Sequence, residues 1–430
     1  MTDVSAGIAA PPAPITINAD RLWSSLMELA KIGAYHDTAT GLVGVNRQSL
    51  TDEDALGRRL VVSWMEEAGL QVSVDQMGNI FGRREGLNLD AAPVMSASHI
   101  DTVATAGAFD GCLGVLGSLE VIRTLNEANI ATRHPIVIGA FTEEEGVRFG
   151  TDMLGSAVAS GRLSLEYAYN LTDRAGLRFG DELDRIGFKG GEDVLLPALH
   201  AYVECHIEQG PVLAQDGFHI GVVTGVQAIS WQKLTIHGRA AHAGTTPTGL
   251  RVDAGLAAAR VVVKVREMVD SGFYGHLRGN IGYIAAEPGL PSVVPYLAEI
   301  TIDLRNPSDE HMTAAEIDLA EFIVGLESEQ PGLRIETKRM AKTHAVPFHE
   351  RVQKAIAQSA DELGHRHMAI MSGAGHDAQE IAAVAPTAMI FIPGEYDGIS
   401  HNPREYSTPE ACRHGIDVLA NTLVRLANDA

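Results

Sequence analysis

Cysteine is scarce in this sequence. The 430 residues contain only three, Cys112, Cys205 and Cys412. An odd number of cysteines at such wide spacing forms neither a disulfide framework nor a CxxC motif. Chains without a disulfide framework are typical of reducing compartments. We therefore expect a cytoplasmic protein.

Basic residues are also few relative to acidic ones. The 33 lysines and arginines face 55 aspartates and glutamates, which leaves a formal net charge of −22 at pH 7. A surface of that sign repels polyphosphates and anionic lipids, so we expect no nucleic-acid partner and no membrane partner. The sequence also lacks an apolar run of the roughly 18 residues that a membrane span needs. It has no basic segment followed by an apolar core near its start, so we expect no secretory leader.

The length of the chain indicates two domains, because 430 residues exceed one ordinary hydrophobic core. The order of strand-like and helix-like segments in residues 1–225 and 344–430 predicts one α/β domain. Residues 226–343 have a different character, with predicted strands and helices that favour an inserted α+β domain. The strands predicted there are Gln232–His237, Asn280–Ile284 and Ala298–Leu304, and the helices are Val252–Val269 and His311–Gly325.

The segment Val94–Gly146 is predicted to form a βαβ unit. Leucines and isoleucines at helical spacing separate two short apolar runs that read as buried strands. In a parallel α/β sheet, ligands bind outside the carboxyl ends of the strands. Polar residues follow both strands and should crowd that edge: His99, Asp101, Asp110, Glu143, Glu144 and Glu145. So many carboxylates repel one another unless cations lie between them, which predicts a metal site.

Each of these motifs also has an ordinary structural explanation. His99 and Asp101 are compatible with a surface strand end, and Asp110 with a helix cap. Three acids directly after a buried strand are costly unless they are solvated or bind metal, so the glutamate run is the strongest signal. Within a metal site, one glutamate can be a ligand and its neighbour can take a proton from a metal-activated water.

Two further histidines, His206 and His401, each follow a segment that is predicted to be a strand. Taken singly, each is more commonly a surface or hydrogen-bonded histidine than a ligand, and the strand context is the only local argument for a metal-binding role. His365 and His367 have no such context, and we predict that they are surface residues.

The inserted domain contains two candidate substrate contacts. His242 lies among small residues that can bring it close to a ligand oxygen, or that simply form a tight turn. Arg305 follows a predicted strand and can bind a carboxylate with its planar guanidinium. The alternative for Arg305 is an ion pair with Asp303 or Glu299.

Taken together, the motifs resemble those of the amidase/hydantoinase/carbamoylase branch of the M20 metallopeptidase clan. That branch includes N-carbamoyl-L-amino-acid hydrolases, β-ureidopropionases and allantoate amidohydrolases. The resemblance extends from about residue 20 to the end of the chain. It rests on the combination of Ser-His99-Ile-Asp101-Thr-Val, Asp110-Gly111, Glu144-Glu145-Gly146-x-Arg148-Phe149, His206-Ile-Glu-Gln-Gly, His242-Ala-Gly-Thr-Thr-Pro247, Asp303-Leu-Arg305, Gly375-His376-Asp377-Ala378 and Gly398-Ile-Ser-His401.

The resemblance implies a zinc-exopeptidase-like catalytic domain with a mixed, largely parallel sheet, and an inserted lid domain that also forms a homodimer. It implies two divalent ions, with zinc expected first and manganese, cobalt or nickel as alternatives. One ion would bind His99, Asp110 and His206. The second would bind Asp110, Glu145 and His401, so that Asp110 bridges the two.

The resemblance also implies roles for the remaining site residues. Glu144 would be the general base, Asp101 the acid behind His99, and His242 the group that stabilises the oxyanion in the partner subunit's site. Arg305 would bind the carboxylate of a small substrate. The other residues expected to contact the substrate are Gln209, Ser292, Gly375 and His376.

The implied activity is hydrolysis of the carbamoyl C–N bond of an N-carbamoyl-L-amino acid or related ureido acid, with release of amino acid, carbon dioxide and ammonia. Three residues depart from the family pattern: Ser292 stands where asparagine is expected, Thr248 where methionine is usual, and Glu143 where asparagine is common. Ser292 keeps open a second activity, cleavage of an N-acyl amino acid or small amide. A third hypothesis, a non-catalytic binding protein, is disfavoured by the intact Glu144, which binding alone does not need.

Overall fold

The computed structural model describes residues 14–429. The chain divides into two compact units. The first unit is formed by the segments that end at Thr224 and begin again at Phe348, and the second unit is formed by Gly225–Pro347. The inserted domain that the sequence predicts, residues 226–343, falls inside the second unit. Its function as a lid stays a prediction.

The helices and strands are numbered here along the chain. The strands are β1 (Ala34–His36), β2 (Val43–Val45), β3 (Gln71–Val74), β4 (Ile80–Arg84), β5 (Val94–His99), β6 (Ile136–Phe141), β7 (Ala201–Ile207), β8 (Ile220–Val226), β9 (Ala228–His237), β10 (Ala241–His242), β11 (Arg278–Glu287), β12 (Val293–Val294), β13 (Leu297–Asn306), β14 (Arg334–Thr343), β15 (Val346–Pro347), β16 (His367–Ser372) and β17 (Thr387–Ile392). The helices are α1 (Ala19–Leu29), α2 (Asp52–Glu67), α3 (Cys112–Glu127), α4 (Leu154–Ala159), α5 (Leu165–Asn170), α6 (Phe179–Ile186), α7 (Val212–Asp216), α8 (Ala254–Asp270), α9 (Asp309–Glu329), α10 (Glu350–Glu362), α11 (Asp377–Ile381) and α12 (Pro409–Asn428).

A mixed sheet forms the centre of the first unit. Its strands lie in the order β8-β17-β7-β5-β6-β4-β3, and β16 pairs with β8. The four central strands, β17, β7, β5 and β6, run parallel, whereas β8, β4 and β3 pair antiparallel to their neighbours. This confirms the predicted α/β fold with a mixed sheet. The parallel strands therefore end at one common edge.

The sequence of the central strands explains their position. Every residue of β5, β7 and β17 is buried, as expected for parallel strands that are covered on both faces. Helix α3 is buried along nearly its whole length, and α12 buries most of its residues. The helix α12 begins with Pro409 in its first turn and the side chain of Thr408 accepting the N–H of Ala411, which is a favourable start for a helix.

The second unit contains a four-stranded antiparallel sheet in the order β11-β13-β9-β14. Buried and half-buried residues alternate along β13, so one face of that strand meets the core formed with α8 and α9. The strand β14 was not predicted, because its sequence, Arg-Ile-Glu-Thr-Lys-Arg-Met-Ala-Lys-Thr, is highly charged. It lies at the edge of the sheet, where charged side chains are tolerated and discourage pairing with other chains. None of the helices formed by residues 14–429 is long and apolar enough to cross a membrane.

Candidate dinuclear metal centre

The candidate ligands lie at the carboxyl ends of the parallel strands. His99 is the last residue of β5, Glu145 follows β6, and His401 follows β17. The prediction that His99 and His206 come after their strands was slightly wrong, since β5 and β7 each include the histidine. The ladders continue that far because His99 pairs with Phe141 of β6 and His206 pairs with Phe391 of β17.

Asp110 is the centre of the site. Its Oδ1 lies 3.1 Å from Nε2 of His206 and 3.6 Å from Nε2 of His99. Its Oδ2 lies 3.3 Å from Nε2 of His401, which is in turn 3.4 Å from Oε2 of Glu145. The structure thus forms two groups of three side chains that share the two oxygens of one carboxylate.

The two groups have the donor atoms and the spacing that divalent ions require. Two ligands at about 2.1 Å from one ion lie roughly 3.0–3.4 Å apart, which is close to the observed separations. Imidazole nitrogen and carboxylate oxygen are suitable ligands for zinc and similar ions. The residues present therefore fit two ions with Asp110 between them.

The two buried histidines have defined orientations. Nδ1 of His99 lies 3.0 Å from the carbonyl oxygen of Asp101, and Nδ1 of His206 lies 2.9 Å from that of Ile207. A carbonyl oxygen only accepts, so Nδ1 carries the proton in both rings. In the neutral rings, Nε2 then carries the lone pair that can bind an ion on the side of Asp110.

Asp101 contacts His99 mainly through its main chain. Its carboxylate is 4.0 Å from Nδ1 of His99, and the closer contact is made by its main-chain carbonyl. The carboxylate instead lies within 3.4 Å of the N–H of Glu144 and 3.3 Å of the N–H of Glu145. Asp101 therefore positions both the histidine and the acidic segment.

The three consecutive glutamates occupy different environments. Glu143 has a left-handed backbone with φ 57° and accepts the N–H of Phe149 at 2.8 Å. Oε2 of Glu144 lies 3.4 Å from Nε2 of His99, and the side chain of Glu144 is 10% exposed. Glu145 faces His401. The structure separates one structural glutamate from two that face the candidate metal centre, a division that the sequence left open.

The buried side chains of the centre have shifted pKa values. Burial raises the pKa of Glu145 to about 8 and raises that of Glu144 well above its usual value. Asp110 is the exception: burial acts in the same direction, but hydrogen bonds with its histidines hold its pKa well below the usual value. The bond to Asp110 raises the pKa of His401 to about 9. Bound cations would compensate for the buried carboxylates.

Gly111 explains the Asp-Gly pair at the start of α3. A Cβ atom at this position would lie 2.4 Å from the ring of His99, and φ is +63°. The N–H of Gly111 also lies 3.1 Å from Nε2 of His206. Only glycine allows the main chain to pass so close to the two rings.

Two acidic residues near the centre have no role assigned from the sequence. Glu405 accepts the N–H groups of Phe109 and Asp110 at 3.0 and 3.1 Å, and Oγ of Ser400 lies 2.6 Å from its other oxygen. Glu204 precedes His206 by two residues on β7, so strand alternation alone places both on one face. Its carboxylate accepts the hydroxyl of Ser98 at 2.8 Å.

Three of the predicted substrate contacts belong to the first unit. Nε2 of Gln209 donates to Oδ2 of Asp110 at 2.8 Å, so this side chain reaches the centre. The ring of His376 lies 4.6 Å from that of His206, with Nε2 3.0 Å from the hydroxyl of Ser372. Gly375 comes immediately before it in the chain.

The other three belong to the second unit. Nδ1 of His242 accepts the N–H groups of the two residues Gly244 and Thr245 at 3.0 and 3.2 Å, so the neutral ring carries its proton on Nε2. The carbonyl of Ser292 accepts the N–H of the residue that follows His242, at 2.8 Å. Arg305 forms an ion pair with Asp303 at 3.1 Å, which was the predicted alternative to a substrate contact.

The parallel strands of this α/β sheet present imidazoles and carboxylates around one shared aspartate. This arrangement defines a class of protein, the hydrolases that use two metal ions. Comparison of the sequence with known protein families supports this class. The profile of Peptidase family M20/M25/M40 matches residues 95–425. The chain belongs to this family, whose enzymes are generally dependent on two metal ions.

Individual relatives cover nearly the whole chain. An N-carbamoyl-L-amino-acid amidohydrolase of Rhizobium meliloti is 43% identical over 98% of this chain and 99% of its own length. One of Geobacillus stearothermophilus is 39% identical over 96% of this chain and 99% of its own. The crystal structure of an amidase of the hydantoinase/carbamoylase family from Burkholderia multivorans is 42% identical, with a TM-score of 0.92 over 96% of this chain and 99% of that one.

Proposed function

We propose that this protein hydrolyses the carbamoyl C–N bond of N-carbamoyl-L-amino acids or related ureido acids. Water and substrate would give the free amino acid, carbon dioxide and ammonia. The observation that carries the proposal is the shared carboxylate of Asp110, which faces two histidines with one oxygen and a histidine with the other. The names of the two amidohydrolase relatives support this choice of substrate.

The proposed ligands are His99, Asp110 and His206 for one ion, and Asp110, Glu145 and His401 for the other. Zinc is the proposed metal, with manganese, cobalt or nickel as alternatives, because the ligands mix nitrogen and oxygen. When bound, such ions polarise the scissile carbonyl and lower the pKa of a water molecule.

Glu144 is the proposed general base. It is not in either ligand group, yet its carboxylate lies beside His99 at the centre. In a hydrolysis, it would accept the proton of the attacking water and pass it to the leaving nitrogen. Its low exposure keeps bulk water from competing for that proton.

The second unit supplies the proposed polar contacts to the substrate. The proton on Nε2 of His242 suits a residue that donates a hydrogen bond to the developing oxyanion. Arg305 would bind the substrate carboxylate, which requires it to exchange its pairing with Asp303. Gln209, Ser292, Gly375 and His376 are proposed to complete the substrate pocket.

Cleavage of an N-acyl amino acid or small amide is the second candidate activity. The observation in its favour is the position of Ser292, whose carbonyl is bonded to the chain next to His242. A change from asparagine to serine here removes an amide beside the proposed oxyanion contact. It can therefore change which acyl group is accepted while leaving the metal centre intact.

The decisive experiment measures both small products. Protein stripped of metal is reloaded with zinc, manganese, cobalt or nickel and incubated with N-carbamoyl-L-amino acids, allantoate, N-carbamoyl-β-alanine and N-acyl amino acids. We expect metal-dependent release of ammonia and carbon dioxide in equal amounts from a carbamoyl substrate. Turnover of acyl substrates alone would replace the first activity by the second.

A homodimer and a cytoplasmic location are part of the proposal. The dimer is supported by the family resemblance alone, and sedimentation of the purified protein tests it. The location is supported by the three cysteines, all of which are free and buried.

A further inference from the structure

Three histidines form a cluster on the first unit, apart from the residues of the proposed dinuclear centre. His219, His365 and His414 each offer a ring nitrogen, and these nitrogens lie within 4.8 Å of one another. The ring centroids are 4.1 Å apart for His365 and His414, 5.2 Å for His219 and His414, and 5.7 Å for His219 and His365. The sequence predicted a surface position for His365 and did not single out the other two.

The backbone holds each ring from a different element. His219 precedes β8, and its N–H donates to the carbonyl of Arg366 at 2.9 Å, next to His365 in the chain. The N–H of His365 donates to the carbonyl of Ala360 at 2.9 Å and so closes the end of α10. His414 lies within the first half of α12. The cluster is therefore built from three anchored segments rather than from one flexible loop.

One nitrogen of the cluster has no partner in the described part of the chain. Nδ1 of His219 is buried and has no hydrogen-bond partner among residues 14–429, which is unusual for a buried polar atom. Burial, reinforced by the neighbouring rings, lowers the pKa of His365 and lowers that of His414 to about 4. These two rings are consequently neutral at pH 7, the form that binds metal.

Two charged side chains border the cluster. Nη2 of Arg413 lies 3.0 Å from Nε2 of His414, and Oε1 of Glu410 lies 3.7 Å from the same nitrogen. The guanidinium of Arg413 also has Asp417 within 3.7 Å, on the next turn of α12. Arg413 can thus turn towards Asp417 when a cation enters, and Glu410 can approach that cation.

We propose that His219, His365 and His414 form a third metal site, which takes a zinc-like divalent ion separate from the dinuclear centre. Three imidazoles bound at about 2.0–2.1 Å would have their nitrogens about 3.3 Å apart, so each ring must move by less than about 1 Å. Water or the carboxylate of Glu410 completes four-fold coordination. Such an ion links the loop before β8, the end of α10 and the helix α12, and it has no part in the hydrolytic step.

The test counts ions in the full-length protein. Wild type, His219→Gln and His365→Gln are equilibrated at stepped free-zinc concentrations, and zinc per chain is measured by elemental analysis. We expect each variant to bind one ion fewer than wild type, and His36→Gln, a change at an exposed histidine of β1, to match wild type. Equal zinc contents in wild type and both cluster variants would overturn the proposal. Because the result is a difference, it does not depend on whether the dinuclear centre binds two ions.

A second measurement guards against variants that fold poorly. Arg413→Gln removes a unit positive charge beside the cluster without removing a ligand. At about 6 Å from a divalent ion in a medium close to water, that charge weakens binding roughly tenfold. We expect Arg413→Gln to bind the additional zinc roughly tenfold more tightly, while circular dichroism and the thermal midpoint report its folding. An affinity equal to that of wild type would contradict a site at these three rings.

Discussion

The division of labour among the three consecutive glutamates gives the sharpest prediction. Replacing Glu144 by glutamine keeps the size of the side chain and its place beside His99, but removes the ability to accept a proton. We expect the variant to retain both ions of the dinuclear centre, because neither ligand group includes Glu144. We expect it to lose nearly all hydrolysis.

The magnitude follows from the role of a general base. A positioned base contributes about 10²–10⁴-fold to a rate, which corresponds to roughly 3–5 kcal/mol of activation free energy. Glu144 is 10% exposed and its pKa is raised by burial, so bulk water does not readily replace it. We therefore expect kcat to fall by at least about 10²-fold, with a change of only a few-fold in KM.

The matched control is Glu143→Gln, one residue earlier. Glu143 is bonded to the N–H of Phe149, and a glutamine oxygen can accept the same bond. Burial raises the pKa of Glu143 to about 8, so the folded protein already favours the neutral form at pH 7. The control should keep kcat within about threefold. It should also lose less stability than wild type as the pH rises from about 5 to 8, because the unfolded wild-type carboxyl ionises in this window whereas the buried one keeps its proton.

The assay measures ammonia release and metal content on the same samples. Activity of Glu144→Gln above a tenth of the wild-type value would refute its role as the base. A variant that is inactive because it has lost its ions would place Glu144 among the ligands. Equal losses in Glu143→Gln and Glu144→Gln would refute the division of roles that the structure indicates.

Three further predictions concern other parts of the chain. Asp110→Asn removes the carboxylate common to both ligand groups, so elemental analysis should show the dinuclear centre reduced from two ions to less than one. Arg58→Met leaves Asp54, which is 0% exposed, without its partner at 2.7 Å, and should lower the free energy of unfolding in urea by about 3–5 kcal/mol. His414 has a pKa lowered to about 4, so its neutral form stabilises the fold above pH 6.5 and that contribution is lost as the pH falls towards 4. The thermal midpoint of His414→Gln should therefore fall less steeply than that of wild type over this window.

Much of the candidate centre was predictable because residue type and strand context coincide. His99, Asp110 and Glu145 come from one βαβ unit, and the carboxyl ends of parallel strands must meet at one edge. His206 lies near the end of β7, and His401 follows β17, another strand of the same sheet. The structure brings these five residues together, and their role as ligands stays a prediction.

Other features were not predictable from the sequence. The strand β14 is charged and exposed, and only its pairing with β9 makes it a strand. Local sequence gave no reason to prefer the carbonyl of Asp101 over its carboxylate as the partner of His99. Glu405 accepts the N–H of Asp110, although the two residues are 295 positions apart in the chain. Contacts over such separations depend on the packing of whole elements.

The sequence by itself determined the fold class, the family and the candidate ligands of the dinuclear centre, because periodicity and motif spacing are local properties. Tertiary structure decided which oxygen of Asp110 faces which histidine, and which glutamate lies beside His99. It also brought together His219, His365 and His414, which no motif links. The physical reason is that each of these contacts joins separate elements, whose relative positions are fixed only when the buried strands and helices pack into one core.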